Sequence, residues 1–318
     1  MESESMKRKD KTTNTYLGDA ERLADLINGY VYHGKTLFKK ENLRERKQVY
    51  TVGDDKLKWW GIIRDIVMEA ELDAVLILIA VESQSSIHYA MPVRVMQDDL
   101  ANYVEQWKKL ETEPKKKKDL RHGEFLSGLS ISDKLIPMIT ICVYWGEEPW
   151  NGPMRLKDML DLEGIPEEIQ GLIADYPVNL IDVNNFEHTE YFKTDLRVVF
   201  DFLKNRGDRK AMKSYIKEHA EELSNLAEDA YDVISEMANV KELKDIKETN
   251  KNMEGGCDMC KAFEEWAEEE RKEGRKEGWD IAKKVLRMEK EGKKYHEIAE
   301  HCEISLDDVQ EILEIFAA

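Results

Sequence analysis

Glu82, Ser83 and Gln84 follow directly on an unbroken apolar run, Ala74 to Val81. Alternate residues of a strand point to one face, so in a strand Glu82 and Gln84 project together. Asp65 lies in the preceding β-prone stretch, Trp60 to Met68, with turn-compatible acidic residues at Glu69 to Asp73 between the two segments. Antiparallel pairing of those segments brings Asp65 next to Glu82. Two carboxylates and one neutral hydrogen-bonding side chain suit a hard divalent cation. Mg²⁺ uses one or two carboxylates and leaves its other positions to water and substrate phosphate. Such an ion lowers the pKa of a bound water and stabilises charge on a phosphate in flight. A carboxylate at a strand end is equally a cap or a salt-bridge partner, here of Arg64 or Arg94, and physical chemistry alone leaves the two readings level.

The elements that must hold these residues are legible in outline. Asp19 to Tyr32 carries Leu23, Leu26, Ile27 and Tyr30 at helical spacing, with Asp19 as N-cap and Gly34 as stop signal. Gln48 to Val52 is a short β-prone piece, and Asp54-Asp55 marks a turn. The run AVLILIAV fits a strand covered on both faces; periodicity alone allows a buried helix, and its short, β-branched text favours the strand. Tyr89 to Leu110 reads as a long helix with Pro92 in its first turn, Ile136 to Trp145 as another buried strand, and Tyr176 to Val183 as a further one. Together these predict an α/β domain, a mixed sheet flanked by helices. From Asp201 onward the pattern is helical, with long charge-rich helices over Arg209 to Met237 and Met259 to Lys290. Two short helices, His296 to Cys302 and Leu306 to Phe316, close the chain, with Ser305 as N-cap.

Composition excludes some classes. The 318 residues include 36% charged ones and carry a net charge of −18, spread over the whole chain. That balance argues against a general nucleic-acid binder, since backbone binding needs Lys and Arg to neutralise phosphates. Any DNA contact is then local. Lys115, Lys116, Lys117, Lys118 and Arg121 form the best basic candidate, although on charge alone they read as a solvated loop. The first 16 residues lack the apolar core of a secretory signal and read as a polar leader, and no apolar run approaches the ~20 residues that span a bilayer. A cytoplasmic protein without membrane association is expected. Cys257 and Cys260 form a lone CxxC; zinc wants four ligands, so surface thiols are favoured over a metal site.

The string IAVESQSSIHYAMPVRVMQDDLANY, residues 79–103, with Glu82, Gln84, Ser85, Tyr89, Ala90, Met91, Pro92 and Arg94, resembles the Rpn family of recombination-promoting nucleases, transposase-like proteins of the PD-(D/E)XK superfamily. DKLIPMITICVYWG at 133–146, WNGP at 150–153 and an acidic helical C-terminus with an EGRKEG-like repeat extend the resemblance over about three quarters of the chain. It implies a restriction-endonuclease-like mixed sheet flanked by helices, over residues 17–205, with an all-α extension over 206–318. It also implies a metal-dependent DNA endonuclease linked to recombination or mobile elements, using Mg, with Mn or Ca as substitutes. Carried over by position, Asp65, Glu82 and Gln84 are catalytic, and Asp65, Glu82 and the Ser83 carbonyl are metal ligands. Gln84 stands where the superfamily has lysine; it can orient a group by hydrogen bonding but brings no charge. Glu21 is a candidate accessory acid, with Asp19 and Asp25 as competitors. Arg94 either reaches a DNA phosphate or holds Glu82 or Asp65 by a salt bridge.

The closing helix pair has a helix–turn–helix look, but LDDVQEILEIF would repel phosphates, so an interaction or dimerisation module is expected, with homo-oligomers formed through the C-terminal helices. Two other functions compete with the nuclease: a catalytically inactive nuclease-fold binding or assembly protein, and a zinc-binding regulator built on Cys257 and Cys260.

Overall fold

The computed structural model describes residues 2–46, 49–54, 57–63, 65–72, 75–112, 122–238, 240–252 and 255–317. In chain order these form α1 (Glu2–Leu17), α2 (Ala20–Tyr32), β1 (Leu43–Glu45), β2 (Val49–Asp54), β3 (Leu57–Ile63), β4 (Ile66–Leu72), β5 (Val75–Gln84), α3 (Met91–Thr112), α4 (His122–Ser127), β6 (Met138–Tyr144), α5 (Glu167–Gln170) and β7 (Asn179–Asp182). The remainder is helical: α6 (Leu196–Lys204), α7 (Arg209–Glu218), α8 (Ala220–Leu223), α9 (Glu228–Met237), α10 (Lys241–Asp245), α11 (Met259–Lys290), α12 (Tyr295–Cys302) and α13 (Leu306–Ala317). The basic cluster from Lys115 to Arg121 lies outside the described residues.

One mixed sheet has the order β1-β4-β5-β6-β7, and β2 with β3 makes a separate antiparallel ribbon. β4 runs antiparallel to β5, with Ile66 opposite Val81; β5, β6 and β7 are parallel. The apolar text of β5 serves both faces alternately. Ile79 and Val81 join Ile66, Met68, Ile141 and Val143 in the main core, where α1, α2, α6 and α9 also pack. Ala80 faces the other way with Val67 and Ala101, and Cys142 meets Met91 and Val95 of α3 on that same side. A strand covered on both sides has no solvated positions to interrupt its hydrophobic run. α3 is held over this face by Asp99, which accepts from Thr140 Oγ1 at 2.5 Å and from the Tyr176 hydroxyl.

Several expectations are corrected. The stretch Trp60 to Met68 is not one strand: β3 stops at Ile63, β4 starts at Ile66, and Asp65 sits on the bend before it. Glu69 to Leu72 belong to β4 rather than to a turn. The polar leader is instead helix α1, in which Thr13, Tyr16 and Leu17 are fully buried. The single helix expected over Arg209 to Met237 is broken, because the chain leaves α8 to exchange backbone hydrogen bonds between Leu226 and Cys257 at 3.0 and 2.7 Å. The main core runs past residue 205, through Met212, Tyr231 and Leu243 to Ala262. A smaller cluster of Val285, Met288, Ile298 and Val309 joins the end of α11 to α12 and α13. Ser305 caps α13 as expected, accepting from the Asp308 amide at 3.1 Å.

Cys257 is fully buried, against the expectation of surface thiols, and Cys260 is half-buried. Burial pushes the Cys260 thiol up to about 11, so it stays protonated at neutral pH. Among the described residues no helix is long and apolar enough to cross a membrane.

Candidate active site

β5 ends at Gln84, and its last residues carry the polar groups. Glu82 and Gln84 share the face covered by α3, whose first turns present Arg94. The guanidinium donates to Glu82 Oε2 at 3.0 Å and stands 3.5 Å from Gln84 Oε1, the outer limit for a hydrogen bond. The Glu82 side chain is 1% exposed and that of Arg94 36%, so the carboxylate is enclosed and its cation half reaches solvent.

The register that pairs Ile66 with Val81 sets Asp65 across from Glu82. Asp65 lies one residue outside the ladder and accepts the Ser83 amide at 3.1 Å, standing in for the strand partner that the ladder no longer supplies. Burial raises the Asp65 carboxyl above its ordinary range; the Ser83 amide, the Arg94 charge and the Asn14 side chain act against that rise without cancelling it.

Asn14 comes from α1, and so does a third acid. Asp10 Oδ1 accepts from Ser85 Oγ at 3.0 Å, one residue past Gln84. Burial raises this carboxyl too, and the nearby Asp65 charge adds to the rise. Sequence reasoning missed Asp10 and Asn14. The only signal was helical spacing among Asp10, Thr13, Asn14 and Leu17, hidden in polar text.

The other candidates are placed elsewhere or otherwise engaged. Glu21 is exposed in the first turn of α2 and pairs with Lys40 at 3.1 Å. Asp19 caps α2, accepting the Glu21 and Arg22 amides at 3.0 Å. Asp25 holds the loop before α6, accepting the Lys193 and Thr194 amides at 2.7 Å. Tyr89 is exposed and donates to Asn151 at 3.0 Å. Burial and the Arg94 charge lower the His88 pKa, which keeps this imidazole neutral at pH 7. Trp145 packs in the core against Phe200, and Trp150 against Tyr144 at its edge.

Because the Glu21–Lys40 pair is solvated, it adds little. Replacing Glu21 by alanine is expected to leave the denaturation midpoint unchanged, and a clear drop would mean that Glu21 has a partner besides Lys40.

The arrangement is thus that of an α/β protein with a carboxylate pair at the C-terminal end of a central strand, a cation beside it and a third acid arriving from the N-terminal helix. A family model described as "Putative transposase, YhgA-like" matches residues 54–233. That span exceeds half of the chain and contains β4, β5 and α3, and the protein belongs to this family. Comparisons with curated proteins and with solved structures give no match.

Proposed function

We propose that the chain is a metal-dependent endonuclease, built on a restriction-endonuclease-like core, that hydrolyses DNA phosphodiester bonds in a recombination or mobile-element setting. The observation that carries this reading is the β4–β5 register, which sets Asp65 across from Glu82 with Gln84 and Arg94 alongside. Membership of a transposase family supports DNA as the partner.

The donor set fits a hard divalent cation in kind: carboxylate oxygens of Asp65 and Glu82 with the Ser83 carbonyl, for Mg²⁺ first and Mn²⁺ or Ca²⁺ by the same chemistry. It is a lean set, since among the described residues no three His, Cys, Asp or Glu side chains are grouped to hold a metal. When bound, the ion supplies a water of lowered pKa and a counter-charge for the phosphate. Gln84 orients a water or a phosphate oxygen by hydrogen bonding. The charge that a lysine would bring there comes from Arg94, whose fork suits a phosphate as well as the carboxylate it now holds. Asp65 is kept in place by the Ser83 amide and kept partly dry by its surroundings.

Supercoiled plasmid incubated with Mg²⁺, Mn²⁺ or EDTA tests the reading. Nicking or linearisation is expected only with metal, and Asp65→Asn is expected to remove it while keeping an oxygen for the Ser83 amide. Stability is expected to move the other way. A carboxyl whose folded pKa lies above its unfolded value of 3.8 favours the fold below that value and gives the benefit up as pH rises through the raised one. Charged Asp65 therefore costs stability at pH 7, and Asp65→Asn should unfold at equal or higher denaturant there. Cleavage that persists in Asp65→Asn would remove this residue from the site.

A second reading, a nuclease-fold binding or assembly protein without turnover, is favoured by the Arg94–Glu82 ion pair, which already occupies a proposed ligand. Absence of plasmid cleavage under every metal would select it.

A further inference from the structure

A cavity of about 390 Å³ opens among the helices away from Asp65 and Glu82, between the end of α6, α7, α10 and the first half of α11. Its size falls in the lower part of the range for small-molecule sites. Its walls combine three rings, Phe202, Phe263 and Trp266, with three cations, Arg206, Lys213 and Arg271, and among the described residues no acidic one lines it. In a chain with 66 acidic and 48 basic residues, an acid-free wall carrying three cations runs against composition.

Two of the three cations, Lys213 and Arg271, are uncommitted in charge. Arg206 donates to the carbonyl oxygens of Met237 at 3.1 Å, Trp145 at 3.0 Å and Gly146, and to Asn184 Oδ1 at 3.1 Å. All four acceptors are neutral, and the nearby Glu147 and Asp182 carboxylates act on its charge, so Arg206 is a committed structural cation behind the wall. Lys213 and Arg271 form no ion pair among the described residues; Arg271 Nε donates only to the Ala267 carbonyl, at 3.4 Å. The rings form a continuous aromatic wall: Phe263 and Trp266 are 5.1 Å apart and tilted at 57°, and Phe202 meets Phe263 edge-on at 6.3 Å.

An aromatic wall beside unneutralised cations matches a ligand with a planar apolar body and an anionic head. Two uncommitted cations exceed what a single carboxylate would use, which points to a multiply charged head. We propose that this cavity binds a nucleoside di- or triphosphate, its base against Phe263 and Trp266 and its phosphates toward Lys213 and Arg271. This goes beyond the proposed nuclease site and uses none of its residues.

Calorimetric titration of the full chain with ADP, ATP and GTP in EDTA tests it, with adenosine and inorganic phosphate as separate arms. Saturable binding with a Kd of about 10–100 μM is expected for the nucleotides. Adenosine and phosphate alone should each bind at least about tenfold more weakly, because each engages one half of the wall. The double variant Lys213→Glu, Arg271→Glu changes two exposed helix positions and should weaken nucleotide binding at least about tenfold at an unchanged thermal midpoint. Trp266→Ala should weaken it as well. Absence of saturable heat with every nucleotide overturns the proposal. So does undiminished binding in the charge-reversed double variant, and so does phosphate binding as tightly as ATP.

Discussion

Replacing Arg94 by alanine is expected to lower the unfolding free energy by about 2–3 kcal/mol and to abolish plasmid cleavage together. The stability loss follows from burial. Glu82 is 1% exposed, and removing the guanidinium at 3.0 Å takes away a charge partner that solvent cannot replace in that enclosure. Breaking a fully buried pair costs about 3–5 kcal/mol; the lower figure allows for an arginine head that is 36% exposed and partly screened. Arg94→Lys should recover little, since a single ammonium cannot span Glu82 and Gln84 as the planar fork does. A divalent cation is expected to bind the alanine variant more tightly, because Arg94 competes with it for Glu82. Urea denaturation and Mn²⁺ titration read the two effects separately. Unchanged stability would mean that Glu82 is neutral or held well by other partners. Weakened Mn²⁺ binding would mean that Arg94 supports the ion rather than competing with it.

A larger loss, about 3–5 kcal/mol, is expected for Arg22→Ala. Arg22 leaves α2 and is 11% exposed; its guanidinium meets Asp195 Oδ1 and Oδ2 at 2.8 and 2.9 Å, with Asp229 bonded on its other edge. Asp195 stands at the start of α6 and Asp229 in the first turn of α9. The Tyr16 ring of α1 lies 4.2 Å from the guanidinium, and its hydroxyl donates to Asp195 at 3.0 Å. One side chain thus ties four helices on the sheet face opposite α3, and its removal leaves two carboxylates facing each other. The effect should appear as a shifted urea midpoint with cleavage retained under conditions where the variant is folded. A loss below about 1 kcal/mol would show that water replaces the guanidinium at little cost.

These two arginines also mark where local text stops being informative. β5 is legible because a strand buried on both faces needs an unbroken apolar run, and AVLILIAV leaves few alternatives. α2 and α13 are legible for a similar reason, since an N-cap must be a short polar side chain at one position, filled here by Asp19 and Ser305. The likeness of Asp65, Glu82 and Gln84 to a metal-site motif depends only on residue type and spacing, which any reader of the chain possesses.

Partner choice is different, because it depends on which distant segment arrives. Arg94 had two carboxylates and a phosphate open to it, and only the packing of α3 over β5 and β6 delivers it to Glu82. Glu21 and Asp10 are both acids near the N-terminus, yet the turn at Gly18 and Asp19 sends one toward Lys40 and the other toward Ser85. α1 escaped notice because, among its described residues, its polar text buries Thr13, Tyr16 and Leu17, too few apolar groups to stand out in composition. The break after α8 is set by Cys257, far along the chain, whose backbone competes for Leu226. Periodicity records how much of each segment is covered; the identity of the covering group is settled by long-range packing, and the candidate site is made of such pairings.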